Sequence, residues 1–136
     1  MGALISRFID TNVLLYAFGE DERGEIARRI MADGGVIAVQ SLNEFINVAR
    51  RKHGRRWSFV RDAIVAIRSV CLVSEAAHLK AHEQAIELAE THGFNIHDAM
   101  LIAIALQSGC DEFLSEDMHH GLVIDDRLVI VNPFRT

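Results

Sequence analysis

Residues 7–18 read RFIDTNVLLYAF. A short apolar run ends at Asp10, and the apolar residues after it follow the spacing of a helix. The stretch therefore predicts a buried strand from Arg7 to Asp10 that leads at once into a helix. A carboxylate at the end of a buried strand loses water, so its charged form needs compensation. Asp10 is the first candidate functional residue, although capping of the helix by Asp10 or Thr11 explains it equally well.

The same change from strand to helix recurs along the chain. Further strands are predicted at residues 36–39, 70–73, 112–115, 122–124 and 128–131. Helices are predicted at residues 20–33, from Ser41 to near Gly54, and at 58–69, 76–92 and 98–107. The last of these is apolar almost all round, as expected of a buried helix. The alternation predicts an α/β fold, with a central parallel sheet covered by helices on both faces, in a single domain over residues 1–136.

The composition is that of an ordinary globular protein. Of the 136 residues, 50% are hydrophobic and 24% are charged. Cys71 and Cys110 are too few for a disulfide framework or a zinc cluster, so we expect small buried side chains in a reducing compartment. No apolar run approaches the roughly 20 residues of a membrane span, and no secretory signal pattern is present. We therefore expect a cytoplasmic protein without a membrane anchor.

The positive charge is concentrated in one segment. A net charge of −5 argues against a general nucleic-acid coat, yet five of the fourteen Lys and Arg residues lie between positions 50 and 56. Arginines can bind phosphates through paired hydrogen bonds, so this segment is a candidate phosphate-binding edge. The alternative is a solvated helix end whose cations complement the helix dipole. The residues of this basic cluster are Arg50, Arg51, Lys52, Arg55 and Arg56.

Three further acids lie where strands end or helices begin. In a parallel sheet, ligands bind at the carboxyl ends of the strands, which is where these acids are expected. Asp117 follows the fourth strand, Asp98 heads the buried helix, and Glu44 completes the capping-box pattern Ser41-x-x-Glu44. Each also has a purely structural explanation: a turn acid, an N-cap and a capping box. Glu116, beside Asp117, is expected to face solvent.

The acids gain meaning as a set. Two like charges about 4 Å apart repel by about 4 kcal/mol at an effective dielectric constant near 20. Acids that converge on one edge of the sheet would therefore take up protons or bind a cation. A set of oxygen ligands suits Mg²⁺ or Mn²⁺ better than zinc. Two such ions would reduce the net charge of −5 to −1, which removes most of the objection to a polyanionic substrate.

Four segments together resemble the PIN domain, and most closely the VapC-type ribonuclease toxins of bacterial toxin–antitoxin pairs. These segments are residues 8–16, 41–45, 97–103 and 114–118, in the order and spacing of that family. By the resemblance, the four metal-site and catalytic acids are Asp10, Glu44, Asp98 and Asp117. The polar residues that match those steadying the site are Asn12 and Ser115.

The resemblance also implies an architecture, an activity and partners. It implies a three-layer α/β/α fold and Mg²⁺-dependent hydrolysis of RNA phosphodiester bonds by a metal-activated water, with Mn²⁺ as a substitute. It further implies a homodimer and a cognate antitoxin protein. The basic cluster would then be an RNA-binding edge.

Other functions remain open on the residues alone. A phosphoacceptor receiver domain would use Asp10, but it needs a late lysine and none follows Lys80. A haloacid-dehalogenase-like phosphatase needs a second aspartate where Asn12 stands. An HD-type phosphohydrolase, suggested by His97-Asp98, is all-helical, against the predicted strands. A non-catalytic PIN relative that binds RNA or a partner is separated from an enzyme only by the presence of all four acids, which this chain has.

Overall fold

The structure is a computed structural model that describes residues 5–135. Residues 1–4 and 136 lie outside this range, and a single domain over residues 1–136 stays a prediction. The helices are α1 (Thr11–Ala17), α2 (Glu22–Asp33), α3 (Val39–Arg51), α4 (Trp57–Val70), α5 (Leu79–His92) and α6 (Ile96–Gln107). The strands are β1 (Arg7–Ile9), β2 (Gly35–Ala38), β3 (Cys71–Ser74), β4 (Glu112–Leu114), β5 (Val123–Ile124) and β6 (Leu128–Val131).

The six strands form one sheet in the order β3-β2-β1-β4-β6-β5. Every neighbouring pair is parallel except β5 and β6, which are antiparallel. The exception follows from the short connection through Asp125 and Asp126, whose φ angles are 53° and 54°. Positive φ at both central positions is the pattern of a hairpin turn, and so short a connection can join only antiparallel strands. The predicted parallel sheet is thus confirmed, with one antiparallel strand at its edge.

The sheet is covered on both faces because successive strand residues point in opposite directions. Phe8 and Phe113 pack with α5 and α6, and their rings stack with centroids 5.1 Å apart. Their strand neighbours Ile9 and Leu114 pack on the other face with α1 to α4. The predicted three-layer α/β/α fold is confirmed. The central helix α6 has seven buried residues, in line with its apolar composition.

Several element boundaries differ from those predicted. The strand predicted at residues 36–39 is β2, which ends at Ala38, because Val39 already begins α3. The helix predicted from residue 76 begins at Leu79, where the side chain of His78 caps it by accepting a hydrogen bond from the Ala81 amide. Both cysteines are buried and free, as expected. Within residues 5–135, we find no helix with the length and apolar character needed to cross a membrane.

Candidate metal centre

The candidate site begins where β1 and β4 end. The two strands are parallel neighbours, and Ile9 pairs with Leu114, so Asp10 and Ser115 leave the sheet side by side. The Asp10 amide continues the ladder by donating to the carbonyl oxygen of Leu114 at 2.9 Å. Two residues 105 positions apart are thereby placed in direct contact. The strand register alone accounts for this part of the site.

Asp10 is a buried carboxylate with both oxygens engaged. Only 7% of the surface of Asp10 is exposed to solvent. One oxygen accepts from the Thr11 amide at 2.7 Å, and the other accepts from the Ser115 hydroxyl at 2.8 Å. Burial, and to a smaller extent the charges of Asp98 and Glu44, raise the pKa of Asp10 to about 6, although the two hydrogen bonds act in the opposite direction. Asp10 therefore caps α1 and also lies among the acids of the candidate site, and its role as a metal ligand stays a prediction.

Asn12 and Ser115 connect Asp10 to Asp117. The Asn12 side-chain amide donates to the Ser115 hydroxyl at 3.3 Å and to an Asp117 carboxylate oxygen at 3.0 Å. The Ser115 hydroxyl also accepts from the Asp117 amide at 3.2 Å. Ser115 is fully buried, whereas Asp117 is exposed. These contacts form one hydrogen-bonded network of four of the predicted site residues.

Asp98 is held at the start of α6 by a different contact. The cap of this helix is Asn95, whose side-chain oxygen accepts from the Asp98 amide at 2.8 Å. The Asn95 amide group donates in return to the Asp98 carboxylate at 3.0 Å. The interpretation of Asp98 as the N-cap itself is wrong, since it stands three residues inside. Burial raises the pKa of Asp98, and the charges of Glu44 and Asp117 act in the same direction.

Glu44 does not form the predicted capping box. Since α3 begins at Val39, Ser41 lies within the first turn, and its hydroxyl accepts from the Ala38 amide at 3.3 Å. The Glu44 carboxylate instead lies 2.7 Å from Nε2 of His97, with the two side chains 40% and 48% exposed. The sequence reasoning did not assign a role to His97. Its position directly before Asp98 is the only local signal that it borders the site.

The four acids influence one another without forming a closed ligand cage. The charges of Asp98 and Glu44 help to raise the pKa of Asp10, and the charges of Glu44 and Asp117 help to raise the pKa of Asp98. Across residues 5–135, however, no three His, Cys, Asp or Glu side chains stand close enough to share one ion. The donor set fits a hard divalent cation in its chemistry, because every candidate ligand is a carboxylate and two of the acids have raised pKa values.

Glu116 does not face solvent as expected. Its side chain is 23% exposed and points away from Asp117. One carboxylate oxygen accepts from the Tyr16 hydroxyl at 2.5 Å, and the other lies 2.9 Å from Nε of Arg23. The hydrogen bond to Glu116, followed by burial, raises the pKa of Tyr16 to about 12. Glu116 is therefore outside the acidic set but bound tightly to two helices.

The basic cluster divides into two parts. The Arg50 guanidinium lies over the Trp57 ring at 4.6 Å and donates to the Arg55 carbonyl at 2.9 Å, and Arg55 lies over the Phe59 ring at 4.4 Å. Arg56 is exposed and precedes α4.

Of the basic cluster, only Arg51 and Lys52 line a groove along α3, which Glu44 and His97 also line. This α3 groove has a volume of about 530 Å³ and is completed by Gln40, Asn43, Asn47 and Val48.

Comparison with known proteins places this geometry in a family. Residues 7–121 match the family model of the PIN domain. The fold resembles a toxin–antitoxin complex from Klebsiella pneumoniae, with a TM-score of 0.73 at 17% identity over 96% of this chain and 100% of the other. It also resembles the sarcin-ricin loop cleaving toxin VapC20 of Mycobacterium tuberculosis, with a TM-score of 0.62 at 23% identity. This match covers 79% of this chain and 87% of the other.

A third similar structure is FitAcB from Neisseria gonorrhoeae, with a TM-score of 0.62 at 15% identity over 96% of this chain and 99% of the other. No curated protein sequence matches the chain. The structural matches establish the fold, and the family match covers most of the sequence. The chain belongs to the PIN domain family.

Proposed function

We propose that this protein is a metal-dependent endoribonuclease and the toxin of a toxin–antitoxin pair. The observation that carries the proposal is Asp10, a buried carboxylate with a raised pKa that lies within the influence of two other acids. Such an arrangement is costly for stability and is typical of a functional site. Similar folds described as a toxin–antitoxin complex and as a sarcin-ricin loop cleaving toxin support the choice of activity and partner.

The residues proposed to hold the cation are Asp10, Asp98 and Asp117, with Glu44 beside them. When bound, Mg²⁺ or Mn²⁺ supplies Lewis-acid chemistry that activates water and offsets the charge on the phosphate. Ser115 and the Thr11 amide orient the Asp10 carboxylate, and Asn12 orients Asp117. His97 contacts Glu44, and both side chains line the α3 groove. Hydrolysis in this arrangement needs no covalent enzyme intermediate.

The activity is tested with purified protein and a labelled RNA. We expect cleavage with Mn²⁺ or Mg²⁺, because the cation completes the acidic site, and no cleavage after EDTA is added. Electrophoresis of the products measures the cut positions. The Asp10→Asn variant, purified in the same way, controls for contaminating nucleases. A protein that binds RNA without cutting it under any of these conditions would be the non-catalytic PIN relative instead.

We place the RNA strand in the α3 groove. Arg51 and Lys52 lie toward the end of α3, and Glu44 lies two turns earlier on the same face. A strand that follows this face would meet two cations before it reaches the acids. Arg50 and Arg55 are committed to aromatic rings within the protein, so we assign them no phosphate contact. Charge complementarity with a polyanion supports this path.

The double variant Arg51→Ala with Lys52→Ala is expected to weaken RNA binding and flatten its salt dependence. For a single strand, the loss of two phosphate contacts makes the slope of log K against log salt less negative by about 1.4. Binding is measured by fluorescence anisotropy in EDTA, where the RNA stays intact. The variant Arg50→Ala with Arg55→Ala removes the same charge and should change the slope by less than half as much. Equal slopes for the two variants would contradict the path along α3.

The partners belong to the same proposal. A cognate antitoxin is supported by the complexes among the similar structures, one of which is bound to a promoter DNA fragment. A homodimer follows only from the resemblance to the toxin family. Co-purification with the product of an adjacent gene and light scattering of the isolated chain test the two partners separately.

A further inference from the structure

The carboxylate of Glu116 is held from two helices at once. Tyr16 of α1 donates its hydroxyl to one oxygen at 2.5 Å, and Arg23 of α2 lies 2.9 Å from the other. The Arg23 guanidinium also lies over the Tyr16 ring, 5.0 Å from its centroid. Each of the three side chains thus contacts the other two. We call Tyr16, Arg23 and Glu116 the clamp.

The side chain of Glu116 points to the opposite side of the loop from the side chains of its chain neighbours, Ser115 and Asp117. Ser115 contacts Asp10, and Asp117 contacts Asn12, whereas Glu116 between them contacts Tyr16 and Arg23. The Glu116 amide also donates to the Asn12 side-chain oxygen at 3.4 Å. Asn12 and Tyr16 lie four residues apart on α1 and therefore on one face. Residues 115–117 are thus held from α1 by two side chains. Asn12 contacts Ser115 and Asp117, and Tyr16 contacts Glu116.

We propose that the clamp positions Asp117 for metal binding, with Glu116 as its central positioning residue. The proposal rests on the proposed function, in which Asp117 is a metal ligand. Asp117 is an exposed residue on a loop after β4, where a side chain has much conformational freedom to lose on binding an ion. A loop held in advance by Asn12 and Tyr16 of α1 and Arg23 of α2 has already lost part of this conformational entropy. Contacts behind metal ligands commonly tune affinity in this way.

A surface ion pair that contributes only to stability is the competing explanation. The two explanations differ in what a substitution changes. If the clamp positions the loop, its loss lets the loop move. The amide hydrogen bonds of Glu116 and Asp117 to the side chains of Asn12 and Ser115 then open more often, and cation binding weakens, while the rest of the fold stays intact. If the pair is merely stabilising, its loss lowers the melting temperature and leaves the loop and the affinity unchanged.

The test uses Glu116→Ala, Glu116→Gln and Tyr16→Phe in the full chain. We expect Glu116→Ala to weaken Mn²⁺ binding about tenfold, measured by calorimetry, as for other contacts behind metal ligands. Amide hydrogen exchange at residues 116 and 117, measured by NMR in EDTA, should become faster in the same variant. Glu116→Gln keeps an acceptor for Tyr16 and should recover part of both losses. Tyr16→Phe removes only the hydroxyl and keeps the ring in place.

A matched control lies on the same helix. Arg23→Ala removes a clamp residue, whereas Arg29→Ala removes an exposed arginine of α2 paired with Glu25 at 3.0 Å. Only Arg23→Ala should speed the exchange at residues 116 and 117. Unchanged exchange in Glu116→Ala and Tyr16→Phe overturns the clamp, whatever happens to the melting temperature. If the wild type binds no Mn²⁺, the proposed function fails, and the exchange data still decide whether the clamp orders the loop.

Discussion

Asp10→Asn is expected to abolish Mn²⁺ binding and to slow cleavage on the order of 1000-fold. The substitution keeps the shape of the side chain and an acceptor for the Thr11 amide, but it removes the most buried charge of the site. Several kcal/mol of electrostatic stabilisation correspond to a fall in cleavage rate on the order of 1000-fold. Calorimetric titration with Mn²⁺ and single-turnover cleavage measure the two effects. Undiminished Mn²⁺ binding would place the metal elsewhere in the protein.

The same substitution is expected to stabilise the metal-free protein at neutral pH. The pKa of Asp10 rises from 3.8 to about 6 on folding, so the protonated form is favoured in the native state. Its contribution to stability is fully present below pH 3.8 and is lost as the pH rises through about 6. A pKa shift of about two units makes the native wild type less stable by roughly 3 kcal/mol at pH values above about 6 than at pH values below 3.8. Asp10→Asn in EDTA should therefore be more stable than wild type at pH 8.

Urea unfolding of both proteins at pH 8 and at pH 4.5 measures this linkage. The advantage of Asp10→Asn should shrink at the lower pH, because the wild-type carboxyl is then largely protonated in the native state. An advantage that is independent of pH would show that the charge of Asp10 is not its cause. Mn²⁺ should narrow the difference at pH 8, since a ligand that binds only the native wild type stabilises it.

Asp98→Asn is expected to slow cleavage strongly while it leaves the start of α6 intact. The capping contacts with Asn95 survive, because the amide of residue 98 is unchanged and an asparagine oxygen still accepts from the Asn95 side chain. The melting temperature should therefore change little. Loss of a ligand charge should lower cleavage by a factor on the order of 100. Single-turnover assays at saturating Mn²⁺ and thermal unfolding give the two numbers.

The control for Asp98→Asn is Asp62→Asn on the exposed face of α4. It makes the same change in net charge far from the candidate ligands along the chain. Cleavage by Asp62→Asn should match the wild type. If Asp98→Asn also cleaves at the wild-type rate, then Asp98 serves only in the helix start.

Local patterns, which depend on neighbouring residues, predicted several members of the candidate site. Asp10 was identified from a strand that ends in an acid, and Asp98 from the start of an apolar helix. The structure adds that each of these acids forms helix-start hydrogen bonds while it is also coupled to other acids. A carboxylate at the start of a helix can cap the helix and also bind a cation, so the two roles do not exclude each other.

Other features could not be predicted from local patterns. The Ser41-x-x-Glu44 pattern suggested a capping box, but α3 starts two residues earlier, because Val39 leaves the sheet directly into the helix. Glu44 then turns to His97, which is 53 residues away. Glu116 was expected in solvent because an acid between two site residues must face away from them. What lies on that far side depends on α1 and α2, which no pattern near Glu116 describes.

Periodicity and short motifs are local properties of the chain, and they are sufficient to predict the alternation of strands and helices, the buried helix α6 and the family. The meeting of polar groups, in contrast, depends on the fold as a whole. The contact of Asp10 with Ser115 joins residues 105 apart, and that of Tyr16 with Glu116 joins residues 100 apart. Strand order and register set these contacts. They arise from the packing of the whole sheet and its helices, and a single residue shift in register would turn the same side chains to the opposite face.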